Sequence, residues 1–267
     1  MVKEREDIME YVLITGATSG IGYALAQVFA AKGHPLILVG RNIEKLKKAK
    51  KALEEMMLGK TKKLYPIFCI HQDLNEEKAA EKIYQIVTHE RLKVDIVINN
   101  AGIGYAGAFW EASDEKIIEQ INVNMAQLTL LTKYFAKEMK EKGKGKILNV
   151  ASTGAYHPGA YIGVYYATKA YVLSLSEALY EELKPYGVTV SSLCPGATRT
   201  GFQKASGRED TKLAMSPEVV ARKAYKGLMK NKKIIIPGLR NQLMVKIPRI
   251  IGIQMIKRYQ KATLSHK

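Results

Sequence analysis

Residues 11 to 22 read Tyr-Val-Leu-Ile-Thr-Gly-Ala-Thr-Ser-Gly-Ile-Gly, an apolar run followed by a glycine-rich segment. The run predicts a short buried strand, and Leu25, Val28 and Phe29 predict one face of a helix after it. Glycines between a strand and a helix permit a tight turn and let a pyrophosphate approach backbone N–H groups at the helix start. The spacing G-x-x-x-G-x-G therefore favours a dinucleotide site, with an ordinary glycine-rich turn as the alternative interpretation.

The rest of the chain continues this alternation of strand and helix. Further strands are predicted at residues 36–39, 64–70, 94–98, 147–151, 188–194 and 233–236, and helices at residues 42–58, 75–88 and 113–142. Strands separated by helices imply right-handed crossovers and a parallel sheet that is covered on both faces. The pattern predicts one α/β domain at residues 1–237, followed by a basic helical extension at residues 238–267.

The composition is typical of an enzyme of the cytoplasm. The chain has 267 residues, of which 47% are hydrophobic, so it can bury a sizeable core. Because Cys69 and Cys194 both lie in strand-like runs, we expect no disulfide framework and a reducing compartment. The N-terminus is too charged for a secretory signal, and no apolar run approaches the roughly 20 residues of a membrane span. No motif resembles a metal site.

The net charge of +17 is concentrated near the C-terminus, because no acidic residue follows Glu218. The 13 basic residues beyond it are Arg222, Lys223, Lys226, Lys230, Lys232, Lys233, Arg240, Lys246, Arg249, Lys257, Arg258, Lys261 and Lys267. Such asymmetry indicates an anionic partner, with a solvated basic surface as the alternative. Apolar residues recur at helical spacing within residues 239–267, which predicts a segment that lies on an anionic membrane, covers the active site or packs on a second subunit. Nucleic acid is a less favoured partner.

A second informative stretch covers residues 145 to 170. Its apolar run predicts a strand that delivers Ser152 at its carboxyl end, and Tyr165 and Lys169 follow four residues apart. On a helix this spacing places the ammonium beside the phenol, whose pKa it should lower from about 10. With Ser152 holding an oxygen beside the phenol, the stretch predicts an acid–base site that interconverts a carbonyl and an alcohol. Tyr166 is a rival for Tyr165, but Lys169 follows it by only three residues and Ala170 occupies its i+4 position.

Three further positions suit a cofactor. Asn99-Asn100-Ala101-Gly102 ends the predicted strand at 94–98, where small residues let a cofactor lie against the backbone. Asp73 follows the third strand, and either accepts from an adenine amino group or begins the next helix. Arg41 stands at the end of the second strand, where NAD would require an acidic residue. Its planar guanidinium suits a 2′-phosphate, which favours NADP(H) over NAD(H), with a solvated helix-start arginine as the alternative.

Together these residues resemble the short-chain dehydrogenases/reductases, in particular the bacterial branch of ketoacyl reductases and DltE-like proteins. The resemblance covers residues 10–237 and rests on Thr15-Gly16-x-x-x-Gly20-x-Gly22, Asp73, Asn99-Asn100-Ala101-Gly102, Asn124, Ser152, Tyr165-x-x-x-Lys169 and Pro195-Gly196. It implies a single Rossmann-type doubly wound domain with a seven-stranded parallel sheet and helices on both faces. It also implies a nicotinamide dinucleotide, and we expect a homodimer or tetramer.

The resemblance implies a role for each matching residue. Tyr165 would be the general acid in reduction, and Lys169 would lower its pKa and hydrogen-bond the nicotinamide ribose. Ser152 would polarise the carbonyl, and Asn124 would hold a water of the proton relay, unless it only caps a helix kink. The expected cofactor contacts are Gly16, Thr18, Ser19, Gly20, Ile21, Gly22, Arg41, Asp73, Leu74, Asn100, Ala101, Gly102, Tyr165, Lys169, Pro195, Gly196, Thr198 and Thr200.

Aromatic residues on two loops near the site predict a substrate pocket, which segment 200–216 is expected to cover as a lid. The candidate pocket residues are Tyr105, Trp110, Tyr156, His157 and Tyr161. This composition favours a bulky, largely apolar carbonyl substrate such as a ketoacyl or steroid-like compound. The sequence thus predicts an NADP(H)-dependent oxidoreductase. The alternatives are a non-catalytic NADP(H)-binding regulator and a membrane-associated protein that uses its basic extension.

Overall fold

Seven parallel strands form one sheet in the computed structural model, which describes residues 9–208 and 214–263. The strands are β1 (Glu10–Thr15), β2 (Leu36–Gly40), β3 (Ile67–His71), β4 (Lys93–Asn99), β5 (Gly145–Val150), β6 (Val188–Leu193) and β7 (Ile234–Ile235). Their order is β3-β2-β1-β4-β5-β6-β7, which confirms the predicted seven-stranded parallel sheet. The start of the predicted domain 1–237, residues 209–213 of the predicted lid and the end of the predicted extension lie outside the described residues.

Helices cover both faces of this sheet. They are α1 (Gly20–Ala30), α2 (Ile43–Thr61), α3 (Ala79–His89), α4 (Asp114–Ile121), α5 (Leu128–Lys142), α6 (Gly163–Leu183), α7 (Phe202–Ala205), α8 (Pro217–Met229), α9 (Leu239–Met244) and α10 (Arg249–Thr263). On one face α1, α2 and α8 pack against the strands, and on the other face α3, α5 and α6 do so. The predicted doubly wound α/β architecture is therefore confirmed.

Strand residues alternate between the two cores. In β1, Val12 and Ile14 pack toward α1 and α2, whereas Leu13 between them packs toward α3 and α5. All three are fully buried. Because both faces of the sheet are covered, its strands are continuous apolar runs, and each buried Leu, Ile or Val contributes about 1.5–3 kcal/mol.

The chain reverses its direction across the sheet between β1 and β4. From β1 it moves outward to β2 and β3, then crosses back to β4 and continues to β7 at the other edge. At such a switch point the loops that follow two neighbouring strands diverge and open a crevice for a ligand. Here the crevice lies beyond Thr15, which ends β1, and Asn99, which ends β4.

The predicted helix at residues 113–142 is helical from Asp114 to Lys142, but it is not one uniform α-helix, because a π-helical turn (Asn122–Gln127) separates α4 from α5. The buried side chain of Asn124 bonds both the N–H and the C=O of Ile103, at 2.9 and 2.8 Å. Gln127 accepts from the N–H of Ala80 at 2.8 Å. These contacts fix the turn against two other segments, and such π turns are frequent at functional sites.

Two predicted boundaries are also wrong by a few residues. β3 begins at Ile67 rather than at residue 64, directly after Pro66, which has no N–H for a ladder. α3 begins at Ala79 rather than at residue 75, because turns precede it. In these turns Asp73 accepts from the N–H of Asn75 at 2.9 Å and Lys78 adopts a left-handed φ of 56°.

The basic extension folds back onto the domain. Asn241 in α9 abuts Gly196, where a Cβ would lie 2.4 Å from the Asn241 Oδ1 atom. The side chain of Gln260 in α10 is fully buried, and Nε2 of His157 lies 2.9 Å from the carbonyl oxygen of Ile247. The extension therefore covers the loops that follow β5 and β6. Within residues 9–208 and 214–263, no helix is long and apolar enough to cross a bilayer.

Candidate active site

The turn after β1 closes so tightly that position 22 admits only glycine. A Cβ on Gly22 would lie 2.3 Å from the carbonyl oxygen of Gly16 and 2.4 Å from Nδ2 of Asn100. Gly20, with a left-handed φ of 55°, begins α1. Ser19 precedes this helix and makes no side-chain cap bond within the described part of the chain. The first N–H groups of an 11-residue helix therefore remain for an anion, as a pyrophosphate cradle requires.

Asn100 joins the end of β4 to this turn. Its Nδ2 donates to the carbonyl oxygens of Thr15 and Gly16 at 2.9 and 3.3 Å. The Thr15 hydroxyl in turn accepts from the N–H groups of Asn100 and Ala101, both at 3.0 Å. The structure thus brings the predicted cofactor residues 100–102 against the glycine turn. The hydrogen bonds of the Thr15 hydroxyl to Asn100 and Ala101 were not predicted. The position of Thr15 at the end of a strand beside the switch point would have suggested them.

Arg41 directly follows β2 and extends into solvent with 63% of its side chain exposed. Its guanidinium lies 4.0 Å from the Asp73 carboxylate and 3.8 Å from that of Glu119, which the sequence did not single out. Exposed pairs of this length contribute little, about 0–1 kcal/mol. Arg41 is therefore free to exchange these partners for a phosphate at the end of β2. Leu74, next to Asp73, is buried.

Ser152, Tyr165 and Lys169 meet beyond the carboxyl end of β5. The Ser152 hydroxyl accepts from the N–H of Gly154 at 3.0 Å and hydrogen-bonds the phenol of Tyr165. Lys169, one turn further along α6, donates to the carbonyl oxygen of Val150 at 2.7 Å. Its Nζ atom lies 5.8 Å from the centre of the Tyr165 ring. The structure therefore assembles the predicted constellation.

The expectation that Lys169 lowers the pKa of the phenol is wrong for this arrangement. Desolvation raises the pKa of Tyr165 to about 12, and the Ser152 hydrogen bond and the charge of Arg208 only partly oppose it. Burial lowers the pKa of Lys169 to about 8. The ammonium approaches the face of the ring and is held by Val150, so it does not contact the phenol oxygen. At neutral pH Tyr165 therefore holds a proton that it can donate.

Asn124 and Gly102 lie next to the Nζ atom of Lys169. A Cβ on Gly102 would lie 3.2 Å from both the Asn124 Oδ1 atom and the Lys169 Nζ atom. Besides its bonds to Ile103, Asn124 donates to the Thr168 hydroxyl at 3.1 Å. Both interpretations of Asn124 are thus compatible with its position, since it lies in the π turn and also beside the lysine. Its part in a proton relay stays a prediction.

Tyr166 occupies a different environment from Tyr165. Its ring packs against Gly154 and Gly159, and its hydroxyl accepts from Nε2 of Gln260 at 3.4 Å. Tyr165 instead packs against Phe202, with ring centres 5.2 Å apart. Of these two tyrosines, Tyr165 is the one hydrogen-bonded to Ser152, which supports its assignment over Tyr166.

The loop after β6 lies across the glycine turn. The Thr200 side chain packs directly against Gly20. A Cβ added to Gly20 would lie 2.8 Å from the Cβ of Thr200. The buried Thr198 donates to the carbonyl oxygen of Gly196 at 2.9 Å, and Pro195 accepts from the N–H of Thr153 at 2.9 Å. This loop therefore brings Thr200, an expected cofactor contact, against the glycine turn.

The predicted substrate residues do not form one pocket. Tyr161, with a left-handed φ of 65°, accepts through its carbonyl oxygen from the N–H of Gly107, and the Tyr105 hydroxyl also lies beside Gly107. These two tyrosines are therefore brought together. Trp110 lies on a short 3₁₀ turn with 81% of its side chain exposed, so it does not enclose a cavity.

Two other candidates contact other parts of the chain. Tyr156 ends the 3₁₀ turn after Ser152, hydrogen-bonds Cys194 and packs against the cluster that contains Val172 and Cys194. Its place in the substrate pocket stays a prediction. His157 is engaged by Ile247 and packs against Gly252 of α10, so it anchors the extension.

A family model described as short chain dehydrogenase matches residues 10–211. Because that match covers more than half of the chain, the protein belongs to the short-chain dehydrogenase family. The resemblance drawn from its motifs is confirmed. The protein is accordingly an oxidoreductase of CH–OH and C=O groups that uses a nicotinamide dinucleotide.

The chain is similar to several curated proteins. An uncharacterised oxidoreductase of Schizosaccharomyces pombe is 33% identical over 197 residues, which are 73% of this chain and 63% of that protein. The chain thus spans less than two thirds of that relative. A very-long-chain 3-oxoacyl-CoA reductase of Homo sapiens is 28% identical over 266 residues, which are 96% of this chain and 81% of that protein.

Solved structures share the fold. A short-chain dehydrogenase from Sphingobium yanoikuyae in complex with NADPH is 31% identical, with a TM-score of 0.80 over 90% of this chain and 97% of that one. A short-chain dehydrogenase/reductase from Burkholderia phymatum in complex with NAD is 23% identical, with a TM-score of 0.80 over 95% and 97% of the two chains. The second likeness concerns the fold alone.

The pKa of Lys169 leads to a prediction about stability. The lysine is 3% exposed and has a folded pKa of about 8, whereas an unfolded lysine keeps its proton up to about 10.4. The unfolded state therefore binds more protons between these values, so the free energy of unfolding should rise with pH there, by roughly 3 kcal/mol. Lys169→Met removes this gain. In urea unfolding from pH 7 to 10, the free energy of unfolding should rise with pH more steeply for the wild-type protein than for the variant. Equal slopes for the two proteins would contradict the lowered pKa of Lys169.

Proposed function

We propose that the protein transfers a hydride between NADP(H) and a carbonyl or alcohol, and that its substrate is a bulky, largely apolar ketone such as a ketoacyl or steroid-like compound. The observation that carries this proposal is the hydrogen bond between Ser152 and Tyr165 beside the buried Lys169. A non-catalytic NADP(H)-binding role is disfavoured because the acid–base groups are all present and adjacent. The aromatic surface around Tyr105, Tyr161 and Phe202 supports an apolar substrate.

Ser152, Tyr165 and Lys169 have separate roles in acid–base catalysis. Ser152 donates a hydrogen bond to the carbonyl oxygen, and Tyr165 transfers its phenolic proton to that oxygen as negative charge develops on it. A relay through Lys169 and the region of Asn124 then returns a proton to the phenolate. When bound, NADPH supplies the hydride from its nicotinamide ring. The glycine turn, residues 100–102 and Lys169 would hold it, since Asn100 contacts the glycine turn and Gly102 lies against Lys169.

The preference for NADP(H) rests on Arg41. No acidic residue occurs in β2 or at the two positions after it, where an NAD site has the acid that accepts from the ribose 2′-hydroxyl. The guanidinium fork suits a 2′-phosphate, which would outcompete the long contacts to Asp73 and Glu119. The NADPH in the similar Sphingobium yanoikuyae structure supports the same preference.

Removal of the phenolic proton should abolish turnover. For Tyr165→Phe we expect kcat for NADPH-dependent ketone reduction to fall by about 10²–10⁴, the usual contribution of a general acid. NADPH consumption across a panel of ketoacyl thioesters, steroids and aldehydes measures the effect. Tyr171→Phe is the matched control, because Tyr171 lies on the same helix but its hydroxyl is paired with Thr129. Undiminished turnover by the Tyr165 variant would refute the assignment.

Arg41→Ala should weaken NADPH binding without affecting NADH. A hydrogen bond to a charged group contributes about 1.5–3 kcal/mol, so we expect the Kd for NADPH to rise about 10- to 100-fold. Lys45→Ala is the control, since it removes a nearby exposed charge from α2. Titration of each variant with both cofactors gives the answer, and an equal loss for NADH and NADPH would contradict the proposal.

We also propose that the extension contacts an anionic membrane. Leu239, Leu243, Ile250, Ile251 and Met255 are exposed on α9 and α10, among basic residues and in the absence of any acid beyond Glu218. A groove of about 630 Å³ beside α9 is lined by five lysines, which suits lipid phosphates. The lysines are Lys223, Lys226, Lys230, Lys232 and Lys246. The expected cytoplasmic location and the homodimer or tetramer stay predictions.

Vesicle binding tests this surface. The protein should sediment with vesicles that contain phosphatidylglycerol and remain in solution with neutral ones, because each basic residue near an anionic surface contributes about 1 kcal/mol. Ile250→Gln combined with Leu243→Gln should reduce sedimentation, whereas Leu64→Gln, an exposed apolar change on the domain, should not. Concentration-dependent dimerisation that the double variant abolishes, without vesicle binding, would instead assign the surface to a second copy.

A further inference from the structure

Arg208 is a buried cation that the acid–base mechanism does not use. Its side chain is 8% exposed and lies just beyond α7. Its Nε donates to the Ser206 hydroxyl at 3.3 Å and its Nη1 to the side-chain amide oxygen Oε1 of Gln260 at 3.4 Å. Both partners are neutral, and no carboxylate of residues 9–208 or 214–263 lies within ion-pair distance. A guanidinium has five N–H donors. Among the described residues, most of these donors have no acceptor and the positive charge has no carboxylate partner.

This cation stands near the reacting phenol. The charge of Arg208 lowers the pKa of both Tyr165 and Tyr166, although desolvation dominates in each case. Geometry gives the same location, because Gln260 bonds both Arg208 and the Tyr166 hydroxyl. Phe202, in the same segment as Arg208, packs on the Tyr165 ring. Arg208 therefore lies close to Tyr165 and Tyr166, in the segment whose Phe202 packs on the Tyr165 ring.

A second buried group in this segment is unsatisfied. Gln203 is 4% exposed, and neither its amide nitrogen nor its amide oxygen has a hydrogen-bond partner in the part of the chain that the structure describes. Its carbonyl oxygen accepts from the N–H of Arg208 at 2.9 Å and from the Ser206 hydroxyl at 2.8 Å, which fixes the backbone of the segment. A buried amide without partners costs about 1–3 kcal/mol. Such a group, in the same segment as an arginine that has no carboxylate partner among residues 9–208 and 214–263, points to a polar ligand.

We propose that Arg208 determines substrate specificity by binding a carboxylate of the carbonyl substrate, with Gln203 as an additional polar contact. The inference rests on the proposed function and refines its substrate class to oxo acids with a bulky apolar body. An arginine fork pairs with a carboxylate through two parallel hydrogen bonds, which would compensate the buried charge. Phe202 and the tyrosines supply the apolar surroundings of the carbonyl.

The test compares oxo acids with their methyl esters, which keep the ketone and lose the charge. We expect the wild-type protein to prefer each acid in kcat/KM by about 10- to 100-fold, the effect of one charged hydrogen-bonding pair. Arg208→Gln should remove this preference mainly through KM, and Arg208→Lys should restore part of it. Lys204→Gln, which removes an exposed charge from the same segment, should keep the preference.

Two outcomes would overturn the inference: a wild-type protein that reduces esters as well as acids, or an Arg208→Gln variant that loses both activities equally. Calorimetric titration of the acids into the NADP⁺-bound protein tests recognition independently of turnover, and binding that Arg208→Gln does not weaken would also overturn it. Failure of every ketone, acid and ester alike, to consume NADPH would refute the proposed function instead.

Discussion

The adjacency of β1 and β4 is the constraint on which the site depends. Only because these strands run parallel and side by side do Thr15 and Asn100 meet and exchange their hydrogen bonds. Those bonds hold the glycine turn against the end of β4, so the start of α1 faces the crevice. The same parallel order brings the ends of β5 and β6 to this edge, which delivers Ser152 and the loop that contacts Gly20. Cofactor cradle and acid–base groups therefore share one edge of one sheet.

Desolvation then decides how the site functions. Tyr165 and Lys169 both lose water, and the pKa values of the phenol and the ammonium move apart, to about 12 and about 8. Each shift favours the neutral group, so the phenol keeps its proton at neutral pH while Lys169 releases its proton more readily than an exposed lysine does. The carbonyl oxygen of Val150 partly compensates the buried ammonium. The burial that lowers the pKa of Lys169 and so costs stability is thus the same burial that keeps the phenol of Tyr165 protonated for donation, a trade-off common in active sites.

Local pattern sufficed to predict the sheet, the glycine turn and the spacing of Tyr165 and Lys169, because periodicity and i,i+4 geometry are encoded within a few residues. It did not suffice for features that depend on distant segments. The π turn arises from Asn124 bonding Ile103, 21 residues away, and the raised pKa of Tyr165 depends on burial by the whole fold. The contacts of Tyr156 with Cys194 and with the cluster around Val172 likewise depend on segments that are distant in the sequence.

The C-terminal helix reverses the usual relation between burial and polarity. A globular helix normally buries its apolar stripe and exposes its polar face, yet α10 buries Gln260 completely and exposes Ile250, Ile251 and Met255. An inner polar residue is explained if it orients Arg208 beside the substrate, since an apolar one would leave the guanidinium without any acceptor from α10. The exposed apolar face of α10 is explained only by contact with a membrane or with a partner protein. The two faces therefore call for separate explanations, and the recognition of an anionic substrate does not depend on what covers the outer surface.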